Sequence, residues 1–148
     1  MKIQRVIAIF FLLALLSSCG QAVEKSPTPT PFSTPEAGKA TVVGTVFSTT
    51  TNARLPEVAV WLAEVVRQGD QGVYVLDSVS SPGRYTDENG AFVLMNVEPK
   101  EYVIVVGDPE GNYEVIRESS GLPKVWNIPA DQIYEIGELK VALSKQRP

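Results

Sequence analysis

From residue 40 onward the chain alternates apolar and polar residues in short runs, and no stretch sustains a helical period of 3.6 residues. These runs are rich in valine, threonine, isoleucine and tyrosine, and turn residues separate them, which is typical of short β-strands. The pattern predicts an all-β fold, a single antiparallel β-sandwich of about seven strands. The predicted strands are Ala40–Phe47, Glu57–Val66, Val73–Val79, Ala91–Met95, Glu101–Gly107, Tyr113–Arg117 and Tyr134–Leu143.

The alternation also assigns side chains to faces. Successive side chains of a strand point to opposite sides, so Tyr102, Ile104 and Val106 share one face of their strand. Phe92 and Leu94 share one face of the preceding predicted strand. We expect both sets to fill the same interior.

Glycine residues interrupt this pattern at three places. Gln68–Gly72 is the predicted tip of a hairpin, and Asp87–Gly90 is a tight turn in which Gly90 is free to take a positive φ. Gly137, inside the last predicted strand, indicates a β-bulge.

The N-terminus carries a different signal. Lys2 and Arg5 precede an unbroken apolar run over residues 6–16, and Cys19, the only cysteine, follows directly after two serines. This arrangement resembles the lipobox of bacterial lipoproteins, in which the cysteine is lipidated and becomes the new N-terminus. We therefore predict a cleaved signal peptide over residues 1–18, attachment to the membrane through lipid on Cys19, and an extracytoplasmic domain that faces the cell surface or the periplasm.

Other interpretations of the apolar run fit less well. Eleven helical residues rise only about 16 Å, roughly half of a hydrocarbon core, which disfavours a spanning helix. A plain secretory signal does not explain a cysteine at the cleavage point. A buried core cysteine is disfavoured because a proline-rich tract follows it at once.

Residues 19–38 are expected to form a disordered linker. The tract contains Pro27, Pro29, Pro31 and Pro35 among serine and threonine, too few apolar residues to build a core, and it favours an extended polyproline II conformation. The whole chain has a formal net charge of −4, and losing Lys2 and Arg5 with the signal makes it more acidic. An acidic chain argues against a nucleic acid partner, since binding there depends on neutralising phosphates.

Residues 39–148 resemble the carboxypeptidase regulatory-like domain, a transthyretin-like β-sandwich. The firmest match is Thr86–Leu94, which reads Thr-Asp-Glu-Asn-Gly-Ala-Phe-Val-Leu, followed by Val97–Val106, which reads Val-Glu-Pro-Lys-Glu-Tyr-Val-Ile-Val-Val. Gly44-Thr45-Val46 matches the opening strand of that family, and Leu55–Leu62 matches its second segment loosely.

This resemblance implies an accessory module, such as a spacer, an interaction domain or a carbohydrate-binding relative. Glu57 and Lys100 stand where the family commonly has glycine. We expect neither to need a positive φ if the local turns differ from those of the family.

The residue inventory favours no enzyme class. The chain has no histidine, which disfavours Ser-His and Cys-His nucleophile systems and most transition-metal sites. Neither Asp87–Gly90 nor the loop around Asp108 has the spacing of a calcium loop. We therefore expect no catalytic residues, no metal and no cofactor.

Aromatic residues are the best remaining candidates for ligand contact. Trp61 falls between Val60 and Leu62, which points it away from the core face, and Tyr113 and Trp126 lie in an irregular stretch. If exposed, they could stack on sugars or anchor a protein partner; if buried, they are structural. We expect an interaction or structural module with an envelope protein or polysaccharide partner, and a carbohydrate-binding module is the alternative.

Overall fold

The alternating runs form ten β-strands in the computed structural model, which describes residues 34–144. The predicted signal peptide (residues 1–18), Cys19 and most of the predicted linker (residues 19–38) lie outside the described residues. Within residues 34–144, no helix is long and apolar enough to cross a bilayer. The strands are β1 (Ala40–Ser48), β2 (Ala53–Arg54), β3 (Ala59–Gln68), β4 (Gln71–Val75), β5 (Gly83–Tyr85), β6 (Ala91–Val97), β7 (Glu101–Gly107), β8 (Tyr113–Val115), β9 (Val125–Asn127) and β10 (Gln132–Val141).

These strands make two sheets, and the predicted all-β sandwich is confirmed. Sheet A has β1 at its centre, with β10 along one side and β6 and β2 along the other. Sheet B has β3 and β7 at its centre. Strands β4 and β5 pair with the edge of β3 that faces away from β7, and β8 and β9 pair with the edge of β7 that faces away from β3. The described residues contain ten strands rather than about seven, because strands as short as β2 and β9 show no alternation of apolar and polar residues that would reveal them in the sequence.

The pairing of β1 with β10 corrects the expectation of a purely antiparallel arrangement. These two strands run parallel, which the long chain segment between them permits. Along this ladder Val43 pairs with Glu135 but Gly44 pairs with Gly137, so Ile136 is an extra residue. Gly137 has a φ of 85°, and the predicted bulge is confirmed.

The main core lies between the two sheets. Tyr102, Ile104 and Val106 enter it from sheet B, and Phe92 and Leu94 enter it from sheet A, as the alternation predicts. Their burial removes apolar surface from water, the dominant favourable contribution to folding. Other buried members of this core are Ala40, Val42, Val46, Leu55, Val60, Leu62, Val97, Trp126, Ile128, Leu139, Val141 and Leu143.

A close approach inside sheet A explains why glycine occupies position 44. Gly44 pairs with Phe92 across the β1–β6 ladder. A Cβ at Gly44 would lie 2.8 Å from Cζ of Phe92 and 2.9 Å from the carbonyl oxygen of Gly137. The aromatic ring therefore occupies the space that any larger residue at this position would need.

Sheet B is covered on its outer face as well. Ala63, Val103 and Val105 pack there with Val115, and the partly buried residues Trp61, Val65 and Leu76 complete this second cluster. Strand β7 is consequently buried on both faces, which explains its continuous run of apolar residues.

The segment after β4 corrects the prediction of a strand over Val73–Val79. Strand β4 ends at Val75, and Leu76 then packs against the outer cluster. Asp77 holds the following turn, since its carboxylate accepts bonds from the Val79 amide at 2.9 Å and the Ser80 hydroxyl at 2.7 Å. Val79 is 92% exposed at the tip of this loop.

Candidate functional site

Trp61 lies on the outer face of sheet B, as its phase in β3 predicts. It pairs with Gly83 of β5, and a Cβ at Gly83 would lie 2.2 Å from Cε3 of the indole. The ring therefore lies directly against the glycine backbone. Its Nε1 donates a hydrogen bond to the carbonyl oxygen of Gly107 at 3.2 Å. The indole is half-buried and held at a fixed position.

A second aromatic residue, Tyr85, stands beside it. Tyr85 pairs with Ala59 of β3, so its side chain shares the outer face with those of Ala59 and Trp61. Tyr85 is 69% exposed. Tyr85 was not among the residues expected to contact a ligand, although a strand over Gly83-Arg84-Tyr85 would place Gly83 and Tyr85 on one face.

Trp61 and Tyr85 line a surface pocket with a volume of about 230 Å³. Polar residues belong to the same lining: Glu57, Asp108 and Asn112. This volume is smaller than the roughly 300–1,000 Å³ of pockets that enclose drug-sized ligands. The pocket is therefore suited to one small ring or side chain of a larger ligand.

One wall of the pocket is the segment that leads into β3. Its conformation depends on Thr86, whose hydroxyl donates to the carbonyl oxygen of Leu55 at 2.7 Å and accepts from the Val58 amide at 3.1 Å. We expected neither Glu57 nor Lys100 to need a positive φ; Glu57 nevertheless has a φ of 57°, whereas Lys100 is not among the positive-φ residues. The paired backbone on both sides of Glu57 holds it in the left-handed region, where the resembling family commonly has glycine.

The opposite wall is the loop between β7 and β8. Gly107 has a φ of 110°, and a Cβ there would lie 2.3 Å from the carbonyl oxygen of Asn112. The Asp108 amide donates to that same oxygen at 3.0 Å, and Oδ1 of Asp108 accepts from the Glu110 amide at 3.0 Å. These bonds fix the conformation of the turn that starts at Asp108, which is a lining residue of the pocket.

The structure does not bring the three predicted aromatic residues together. Trp126 is only 6% exposed and belongs to the main core, because β9 pairs with β7 and turns the indole inward. The ammonium group of Lys124 lies 4.8 Å from the centroid of its ring. Tyr113 is 49% exposed on β8 and is not part of the pocket lining. Of the three, Trp61 alone lines the pocket.

The asparagine- and aspartate-rich turns have local structural roles. Oδ1 of Asp87 accepts from the amides of Asn89 and Ala91, both at 2.8 Å, which closes the turn before β6. Within residues 34–144, no group of three or more histidine, cysteine, aspartate or glutamate side chains is arranged to hold a metal ion.

Marked pKa shifts occur at a distance from the pocket lining. A hydrogen bond from Arg67 lowers the pKa of Glu101, and a hydrogen bond from Lys39 lowers the pKa of Glu98. Burial, together with the nearby carboxylates of Glu64 and Glu98, raises the pKa of Tyr102 to about 12. The Tyr102 hydroxyl donates to the carbonyl oxygen of Glu98 at 3.1 Å, so this group is structural.

The sequence matches no protein-family model and no curated protein. Solved structures show distant similarity. A Pseudomonas aeruginosa protein for which carbohydrate binding has been suggested is 16% identical, with a TM-score of 0.43, over 74% of this chain and 92% of that one. BcpA, the major pilin subunit of Bacillus cereus, is 14% identical, with a TM-score of 0.42, over 69% of this chain and 29% of the pilin. A 9R-lipoxygenase from Cyanothece is 17% identical, with a TM-score of 0.40, and this chain spans only 18% of it.

Two further similar structures bear on the expectation that this chain is not an enzyme. They are an (S)-allantoin synthase and the dioxygenase domain of a Streptomyces fusion protein, with identities of 12% and 16% and TM-scores of 0.40 and 0.38. Together with the lipoxygenase, they correct that expectation, and the exclusion of catalysis is withdrawn. That expectation rested on residue types, but β-rich folds occur in enzymes too. At this level of similarity no reaction is transferred to this chain.

Proposed function

We propose that this chain is a lipid-anchored, extracytoplasmic binding module that recognises carbohydrate at the pocket formed by Trp61 and Tyr85. The observation that carries this proposal is the position of the two aromatic side chains on one face of sheet B, in a pocket that Asp108 and Asn112 also line. Aromatic rings offer an apolar surface for the C–H face of a sugar, and carboxylate and amide groups bind its hydroxyls.

The anchor and the domain boundaries belong to the same proposal. Cys19 carries the lipid after removal of residues 1–18, residues 19–38 act as a tether, and residues 39–148 form the binding domain of the carboxypeptidase regulatory-like, transthyretin-like type. The support is the sequence around Cys19 and the Thr86–Val106 signature. Palmitate labelling of the expressed protein tests the anchor, and Cys19→Ser is expected to abolish the label.

Carbohydrate binding is tested by fluorescence titration. The full chain, purified in a detergent without a sugar headgroup, is titrated with soluble polysaccharides while tryptophan emission is followed. A saturable change is expected, because Trp61 is half-buried at the pocket whereas Trp126 is in the core.

A matched pair of variants assigns the signal to the pocket. Tyr85→Ala removes an exposed pocket ring and is expected to weaken binding by about tenfold, which corresponds to about 1.4 kcal/mol. Tyr74→Ala removes an exposed ring on β4, outside the pocket lining, and is expected to bind like the parent. Equal weakening in both variants, or no response to any polysaccharide, would contradict the proposal.

A second candidate function is binding of an envelope protein through the β3–β4 hairpin. Val66 and Val73 are paired across this hairpin and are 51% and 64% exposed, and Val75 is 50% exposed. Clustered exposed apolar residues are typical of interaction surfaces. A photo-crosslinking residue at position 73 is expected to capture one discrete partner in cells, whereas the same residue at Ile133 on β10 is expected to capture none.

A further inference from the structure

Electrostatic features of the pocket point to a ligand of positive charge. Glu57 and Asp108 are the charged side chains that line it among residues 34–144, and both are acidic. The faces of Trp61 and Tyr85 add to this potential, because an aromatic ring carries partial negative charge on its face and attracts cations. Two independent features, the carboxylates and the rings, therefore favour the same ligand charge.

The hydrogen bonds around the pocket indicate which groups face a ligand. The indole N–H of Trp61 already donates to the carbonyl oxygen of Gly107, so a ligand would contact the ring atoms rather than this donor. Oδ1 of Asp108 accepts from the Glu110 amide, which holds the carboxylate in place. A neutral sugar could form only hydrogen bonds with the acidic residues, through its hydroxyls. An ammonium group would in addition be attracted by their negative charge and by the faces of the aromatic rings.

We infer that the pocket selects an amino sugar with a free, protonated amine, as in a glucosamine polymer, over neutral or N-acetylated sugars. This inference rests on the proposed carbohydrate function and specifies its ligand class. The sugar ring packs against Trp61 and Tyr85, and its ammonium group lies near Asp108 and Glu57. N-acetylation removes the charge and is expected to weaken binding.

The test compares three hexasaccharides with the full chain in a detergent without a sugar headgroup, at a pH at which the sugar amine is protonated. They are a glucosamine hexamer, an N-acetylglucosamine hexamer and cellohexaose, and hexalysine serves as a cation that is not a sugar. Tryptophan emission and calorimetry report binding. The glucosamine hexamer is expected to bind about tenfold more tightly than either neutral hexamer.

Charge variants assign this preference to the pocket. Asp108→Asn removes the charge but keeps the oxygen that accepts from Glu110, so the loop is retained; affinity for the glucosamine hexamer is expected to fall about two- to fivefold, with no change for cellohexaose. Asp131→Asn is the matched control, because Oδ1 of Asp131 also accepts a backbone amide, from Gly38, outside the pocket lining. It is expected to leave all affinities unchanged.

The possible outcomes separate the inference from the proposed function. Equal affinities for the three hexamers would overturn the amino-sugar inference and leave carbohydrate binding intact. Hexalysine binding as tightly as the glucosamine hexamer would overturn it as well, because charge alone would then suffice. Equal weakening by Asp108→Asn and Asp131→Asn would show that the preference comes from the overall acidity of the chain. No binding of any saccharide would overturn both.

Discussion

Replacing Thr86 by valine tests the structure at the point where the fold supports the pocket. Thr86 is only 4% exposed, and its hydroxyl makes two hydrogen bonds, to the carbonyl oxygen of Leu55 and from the amide of Val58. Valine has nearly the same shape but cannot make either bond. Both backbone groups would then lose a partner; the bond to Leu55 is buried and the bond from Val58 is partly buried.

The expected loss of stability follows from the two backbone groups that lose their hydrogen-bond partner. An unsatisfied buried polar group costs about 1–3 kcal/mol. Val58 is only partly buried and water can reach its surroundings, so we expect Thr86→Val to lower the free energy of unfolding by about 2–4 kcal/mol. Small domains have total stabilities of about 5–15 kcal/mol, so the variant should still fold.

The assay is equilibrium urea unfolding of the full chain, followed by the emission of Trp126 in the core and by circular dichroism. Thr86→Ser is the matched control because it keeps the hydroxyl and loses only a methyl group, which is worth about 1 kcal/mol or less. If Thr86→Val unfolds within about 0.5 kcal/mol of the parent, or if serine and valine are equally destabilising, the assigned hydrogen bonds do not support this wall of the pocket.

Three further predictions concern single side chains, and the first and third use the same unfolding assay. Gly44→Ala is expected to cost at least about 1–3 kcal/mol, because its Cβ would lie within 3 Å of Phe92 and of a backbone oxygen; a neutral effect would refute this packing. Gly83→Ala should displace the indole of Trp61, which would be seen as a shift in tryptophan emission and weaker saccharide binding; an unchanged spectrum would contradict the observed contact. The pKa of Tyr102 is raised to about 12 from an unfolded value of about 10, so its contribution to stability is complete below pH 10 and is lost as the pH rises through 12. Tyr102→Phe should remove this part of the pH dependence, and a variant with the same alkaline slope would show that another group causes it.

The strand pattern and the two core faces could be predicted because they depend on local periodicity. The two-residue repeat of a strand places Tyr102, Ile104 and Val106 on one face, and these residues are indeed buried in the main core. The bulge at Gly137 was also predictable, since a glycine inside an apolar strand indicates such a feature. The parallel pairing of β1 with β10 was not, because no local signal records the relative direction of strands distant in sequence.

The candidate site was only partly predictable. The phase of Trp61 within β3 was sufficient to place it on the outer face. The orientation of Trp126 could not be predicted in the same way, because β9 has only three residues and shows no clear alternation. The indole of Trp126 is buried because β9 pairs with β7. The positive φ of Glu57 is likewise imposed by the paired backbone around it.

The sequence by itself therefore determined the class of fold, the faces of the long strands and the turn at Asp87, because each depends on side chains within a few residues of one another. The tertiary structure alone decided the pocket. Its walls come from residues 56–59, 61, 85, 107–109, 112, 143 and 144, and the register of β3 with β5 and β7 brings most of them together. That register is set by burial of the two faces of sheet B, a property of the assembled sandwich rather than of any one segment.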